Sequence, residues 1–158
     1  MADKLPFSPH VLIVEARFYD GVADNLKRGA IKTLTDIGGT YELYQVPGAL
    51  EIPAALKFAI KSMQLYNGDD RYHGFVVLGC VIRGETSHYD YVCQNSMNLV
   101  QELAVEYNLA IGNGILTVEN MQQAEDRANT KGLNKGGFAA QTCLDMMQMK
   151  DHFGLLRG

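Results

Sequence analysis

Apolar runs of strand type alternate with segments of helical period along most of the chain. The first run is Val11-Leu12-Ile13-Val14, extending towards Ala16. Apolar residues at consecutive positions mark a strand covered on both faces. Asp20 has the character of a helix N-cap. Ala23, Leu26, Ala30, Thr33, Leu34 and Ile37 then recur at helical spacing until Gly38-Gly39 stops the helix. A second strand covers about 41–46 and ends at Pro47-Gly48. The helix after it spans about 49–66 and carries Pro53 near its start, where helix amides lack partners in any case. Asn67-Gly68-Asp69-Asp70 reads as a turn, and 74–82 as the most strongly buried strand. A third helix places Tyr89, Val92, Cys93, Ser96, Val100, Leu103, Ala104 and Tyr107 on one stripe. The fourth strand covers about 110–116, with Thr117 as the cap of a helix opening at Glu119. Residues 129–137 read as a break, and the last helix carries Ala139, Ala140, Cys143, Leu144 and Met147 on one face.

This alternation predicts an α/β fold in three αβα layers, with a four-stranded parallel sheet and right-handed crossovers. Among the doubly wound arrangements, the flavodoxin-like strand order is expected. Such sheets bind ligands beyond the carboxyl ends of their strands. Chemistry should therefore sit in 15–19, 46–51, 79–88 and 112–117.

Composition narrows the class. A chain of 158 residues that is 47% hydrophobic suits one domain, 1–158, with a proper core. A net charge of -4 argues against general binding to nucleic acid or anionic membranes. The three cysteines, Cys80, Cys93 and Cys143, form no CxxC pair. That speaks against a disulfide framework and a structural zinc site, and for a reducing compartment. No apolar run approaches the ~18 residues of a membrane span, and MADKLPFSPH lacks the core of a signal peptide. The expectation is a soluble cytoplasmic protein with no metal and no cofactor.

The strand ends carry the candidate chemistry. Phe18 and Tyr19 follow the first strand; they either stack on a flat ring or plug the gap between sheet and helix. Pro47-Gly48 leads directly into a helix whose first turn holds Glu51, which either accepts hydrogen bonds from a polyol or only complements the helix dipole. After the third strand, Gly84 lets the chain turn, and the amides of Glu85 and Thr86 then suit an anion. His88 lies on the same turn and transfers protons near neutrality. The Glu85 carboxylate is expected to point away from such an anion. Gly112-Asn113-Gly114 allows close backbone approach, and Asn113 either meets the edge of a heterocycle or is a turn residue. Arg127, Lys131 and Lys135 form a late basic cluster, either for phosphate or as a solvated helix face. There is no Walker loop, no GxGxxG, and no paired His or Cys ligands; Ser87 beside His88 is not a triad.

Taken together, ARFYD (16–20), VPGALEIP (46–53), LGCVIRGETSHYDYVC (78–93), GILTVEN (114–120) and DRANTKGLNKGG (126–137) resemble the lumazine synthase family, in its order and spacing and over nearly the whole chain. The resemblance implies condensation of 5-amino-6-(D-ribitylamino)uracil with 3,4-dihydroxy-2-butanone 4-phosphate. The products would be 6,7-dimethyl-8-ribityllumazine, phosphate and water. It implies that Phe18 stacks on the uracil ring and that Ala49, Leu50 and Glu51 bind the ribityl side. Cys80, Val81 and Ile82 would line the pyrimidine, mostly through backbone groups. The amides of Glu85 and Thr86, with Arg127, would hold the phosphate, and His88 would transfer protons. It further implies a homo-oligomer with the pentamer as its unit and active sites between subunits, Asn113 and Arg127 coming from the same neighbour. Leu50 and Asn113 stand where many members carry aromatics, Tyr19 where Asn is common and Cys80 where Thr is common, so affinity should change more than reaction type. The losses at Leu50 and Asn113 leave a non-catalytic flavin- or lumazine-binding protein on the same fold as the alternative; His88, Arg127 and Glu51 favour the enzyme. A flavodoxin-like electron carrier would need a Ser/Thr-rich loop where ARFYD stands.

Overall fold

The computed structural model describes residues 5–66 and 71–156. Its elements are β1 (His10–Ala16), α1 (Asp20–Asp36), β2 (Thr40–Val46), a 3-10 turn at Ala49–Glu51, α2 (Ile52–Leu65), β3 (Gly74–Ile82), α3 (His88–Glu106), β4 (Ile111–Val118), α4 (Met121–Ala128) and α5 (Lys135–His152). The strands pair in parallel in the order β2-β1-β3-β4, the flavodoxin-like order expected from the sequence. Alternation along β1 divides the core. Val11 and Ile13 pack with α1, α4 and α5 on one face, while Leu12, Val14 and Ala16 pack with α2 and α3 on the other. Three αβα layers result, because each inner strand must be covered on both faces.

The end of α1 follows the glycine signal. Gly38 takes φ 79, its N–H donates to the Thr35 carbonyl, and Gly39 N–H reaches the Leu34 carbonyl. This pairing satisfies the last carbonyls of the helix. The predicted turn at 67–70 lies outside the described residues.

Four boundaries differ from expectation. Asp20 is the first helical residue of α1, and Tyr19 holds the cap position without a side-chain cap bond. Asp20 instead serves the positive helix end and pairs with Arg17 at 3.3 Å. The segment after Pro47-Gly48 starts as a 3-10 turn before α2 proper, with Pro53 in the first turn of α2. β4 runs on to Val118, so Thr117 is a strand residue rather than a cap. Asn120 caps α4 instead, its Oδ1 accepting the Gln123 N–H at 2.9 Å. The break around 129–137 is shorter than expected: α5 begins at Lys135, capped by Asn134 at φ 47, and takes in both Gly136 and Gly137. These glycines permit close helix packing rather than ending a helix. A Cβ on Gly136 would lie 2.0 Å from the Leu26 carbonyl oxygen of α1.

Candidate active site

At the carboxyl ends of the strands lies an open cleft of about 360 Å³. It sits where the chain winds in opposite directions from β1 and β3, the switch point at which such sheets bind ligands. Ala16, Phe18 and Tyr19 reach it from the end of β1, and Pro47, Gly48, Ala49, Leu50 and Glu51 from the end of β2. Cys80, Val81 and Ile82 of β3 form its floor, and His88 and Val92 of α3 complete it. The structure thus gathers Phe18, Ala49, Leu50, Glu51, Cys80, Val81, Ile82 and His88 from three loops into one wall. Tyr19, the second aromatic after β1, and Gly48 of the Pro-Gly turn line it too; Val92 joins them without having been singled out, legible only as an apolar stripe residue.

The start of the cleft is held by an ion network. Glu15 is a carboxylate only 3% exposed in an otherwise apolar strand. Arg17 lies 3.2 Å from Glu15, 2.5 Å from Asp24 and 3.3 Å from Asp20. The Arg17 hydrogen bond holds the Asp24 carboxyl below its usual range. This network ties the end of β1 to α1 and leaves Phe18 outside it, 73% exposed. An aromatic ring so exposed, in edge contact with Tyr19 at 4.9 Å, offers a face to a planar ligand. Burial raises the Tyr19 phenol and pushes the Cys80 thiol up to about 11. Cys80 is thus a neutral wall near neutral pH and contributes no thiolate.

Glu51 lies in the 3-10 turn, exposed, with its N–H on the Gly48 carbonyl at 3.1 Å. Leu50 is 46% exposed beside it. Between Ile82 and His88, which line the cleft, residues 83–87 form an exposed loop that ends as α3 begins at His88; Glu85 and Thr86 lie in this loop and not in the cleft lining. Thr86 Oγ1 accepts the His88 N–H at 3.3 Å. Among the described residues, the amides of Glu85 and Thr86 have no hydrogen-bond partner, and the Glu85 carboxylate makes no ion pair. Two open amides at the start of a 19-residue helix suit an anion. Gly84 departs from expectation: its φ is not positive, so the bend does not require glycine. A Cβ there would meet nothing within 4 Å, so the missing side chain leaves open space beside the two amides.

Asn113 and Arg127 do not join the cleft. Asn113 pairs with Val77 in the middle of the sheet, five residues before β4 ends, roughly 17 Å back along the strand. Its amide reaches Met97 Sδ at 3.4 Å. Gly112 and Gly114 admit α5, not a ligand: a Cβ on Gly112 would fall 1.7 Å from the Ala139 carbonyl oxygen, and one on Gly114 would fall 3.2 Å from the Ala139 Cβ. Arg127 lies half-buried on α4, on the other face of the sheet from α3, donating to the Gln123 carbonyl at 3.2 Å. Among the described residues, no group of three or more His, Cys, Asp or Glu is placed to hold a metal ion, and no helix is long and apolar enough to cross a membrane.

A doubly wound parallel sheet with a cleft at its switch point, an exposed aromatic on one side, and two open amides near a histidine on the other is the arrangement of a small-molecule site. The sequence profile described as 6,7-dimethyl-8-ribityllumazine synthase matches residues 8–151. The protein of that name from Bartonella henselae is 54% identical over 145 residues, covering 92% of this chain and 90% of its own. That from Bartonella bacilliformis is 51% identical over 154 residues, covering 98% of each, and that from Agrobacterium fabrum 51% over 146, covering 92% and 97%. The chain belongs to the 6,7-dimethyl-8-ribityllumazine synthase family.

Proposed function

We propose that this cleft condenses 5-amino-6-(D-ribitylamino)uracil with 3,4-dihydroxy-2-butanone 4-phosphate, giving 6,7-dimethyl-8-ribityllumazine, phosphate and water in the penultimate step of riboflavin biosynthesis. The supporting observation is the convergence of Phe18, Glu51 and His88 on one cleft at the switch point of a chain from this family. Phe18 stacks on the uracil ring, and Cys80, Val81 and Ile82 line it through backbone groups. Ala49, Leu50 and Glu51 take the ribityl chain, the Glu51 carboxylate accepting from its hydroxyls. The Glu85 and Thr86 amides hold the phosphate. An amine of the uracil attacks the ketone carbon and a first water leaves as the imine forms; phosphate is then eliminated, and the second amine closes the ring on the carbonyl that this leaves, with loss of a second water. His88 shuttles the protons. Much of the acceleration comes from holding two reactants together, an advantage that does not depend on any single acid or base.

Two residues of the set lie away from the cleft of their own chain, and an assembly accounts for them. Asn113 and Arg127 of the partner subunit complete the site, Arg127 pairing with the phosphate. The chain acts as one domain, 1–158, in a homopentamer in the cytoplasm, and it uses no cofactor. Phe18, Tyr44, Phe58, Tyr91, Val105, Phe138 and Phe153 are each more than half exposed, more apolar surface than a lone soluble subunit usually shows.

The test is turnover of both substrates, followed by the absorbance of the lumazine, in the parent, His88→Ala and Arg127→Ala. Loss of one acid–base group should lower kcat about 10²-fold without abolishing it. No turnover above background in the parent, together with tight binding of the lumazine, would make the protein a binder on this fold.

A further inference from the structure

We propose that Arg83 is a positioning residue: it fixes the 84–88 loop, and with it His88 and the open amides, by fastening both ends of that loop to β4. The Arg83 N–H donates to the Val118 carbonyl at 2.9 Å, which anchors the entrance of the loop. Its side chain then spans the loop to the exit. Nε lies 2.8 Å from Glu119 Oε2, just past the end of β4, and Nη1 lies 3.4 Å from Asp90 Oδ1 in the first turn of α3. The guanidinium also sits 4.3 Å over the ring of Tyr89, the residue next to His88. One side chain therefore links β3, β4 and α3 around a loop with few contacts of its own. Within 84–88 every residue is exposed, and, helix-internal bonds of α3 aside, the ties of this loop among the described residues are the Thr86 hydroxyl on the His88 amide and the Ser87 carbonyl on the Asp90 amide. Arg83 is committed to two carboxylates, which suits it to hold the loop rather than to bind the phosphate. Lysine cannot reproduce a fork that meets two acids and a ring face at once.

The pairs are exposed, the Arg83 side chain itself 41%, so they contribute little to folding stability. Their consequence should appear in the geometry of the site, where a shift of about 1 Å can cost up to 10²-fold in rate. Arg83→Met should leave the melting temperature of the assembled protein nearly unchanged. It should lower kcat/KM for the four-carbon phosphate by about tenfold or more, while KM for the aminouracil, which binds on the Phe18 side, stays within about twofold. Amide exchange across 84–90, read by mass spectrometry on the ligand-free protein, should speed up, and Arg83→Lys should recover little of it.

The proposal rests on the reading of the loop as part of the active site, but the exchange measurement does not depend on turnover, so the two can fail separately. Unchanged exchange in Arg83→Met overturns the positioning role. So does full recovery of kcat/KM when Glu119→Gln is added to Arg83→Met, because Arg83 would then only neutralise carboxylates near the phosphate. Equal losses toward both substrates with a large fall in melting temperature would likewise overturn it.

Discussion

Gly112→Ala tests whether the glycines of β4 exist for packing or for a ligand. The added Cβ would lie 1.7 Å from the Ala139 carbonyl oxygen, 2.5 Å from its carbonyl carbon and 3.2 Å from its Cα, all backbone atoms of α5. No rotamer change relieves a clash with backbone, so α5 must move away from β4 by about 1.5 Å to reach ordinary contact. Behind that contact the helix buries Ala139, Ala140, Cys143, Leu144 and Met147, all 5% exposed or less, against the sheet and α1. Overpacking typically costs 1–3 kcal/mol, and the approach here is closer than most, so about 3 kcal/mol is expected. For a chain of this size that corresponds to a fall in melting temperature of roughly 6–12 °C. Melts of parent and variant at one protein concentration, with circular dichroism at 222 nm, measure it; the concentration is fixed because the proposed association of subunits would enter any midpoint. A fall of less than about 2 °C, with activity lost, would refute the packing argument and return these glycines to a ligand-binding role.

Gly84→Ala is the counterpart: with nothing within 4 Å of the new Cβ, the melting temperature should hold, while kcat/KM for the phosphate substrate falls as the methyl crowds the two amides; a fully active variant would show that no ligand approaches there. Phe18→Ala removes a mostly exposed ring, so it should leave the melt unchanged and weaken aminouracil binding by about tenfold; unchanged binding would remove Phe18 from the site. The Tyr72–Glu42 pair should shape stability at both pH extremes. Burial and the hydrogen bond to Glu42 lift the Tyr72 phenol from 10.0 to about 12, so its contribution is whole below pH 10 and drains away as pH rises towards 12. The Tyr72 hydrogen bond, with Arg71, holds the Glu42 carboxyl below its ordinary 4.5, so that contribution is present above pH 4.5 and is lost as pH falls through the depressed value. Melts across pH should show both slopes flattened in Glu42→Gln and in Tyr72→Phe, because each variant removes the hydrogen bond that shifts the other group; identical profiles in parent and variants would contradict the pairing.

Much of the fold could be read from the chain because burial writes itself into spacing. The unbroken apolar runs of β1 and β3 mark strands covered on both faces, and the α5 stripe at 139, 140, 143, 144 and 147 is its buried face. Errors arose where a residue type serves two purposes. Thr117 suits a helix cap, but it also suits the exposed side of an edge strand, which is its place in β4. Gly136-Gly137 reads as punctuation, yet what it allows is contact between helix backbones, and the sequence of α5 alone does not contain Leu26. The cleft residues after β1, β2 and β3 were legible because doubly wound sheets bind ligands at strand ends. The Arg83 clamp was not: its partner Glu119 is 36 positions away, and only the parallel pairing of β3 with β4 brings them together.

The central claim, a condensing site completed by a neighbouring subunit, is tested most directly by complementation. His88→Ala and Arg127→Ala chains would be refolded separately and as an equal mixture, and turnover to the lumazine compared. In a mixed ring about a quarter of the interfaces join an intact His88 to an intact Arg127, so the mixture should turn over far faster than either variant alone. Activity no higher than the mean of the two separate variants would contradict the shared site and place both residues on one chain's own surface.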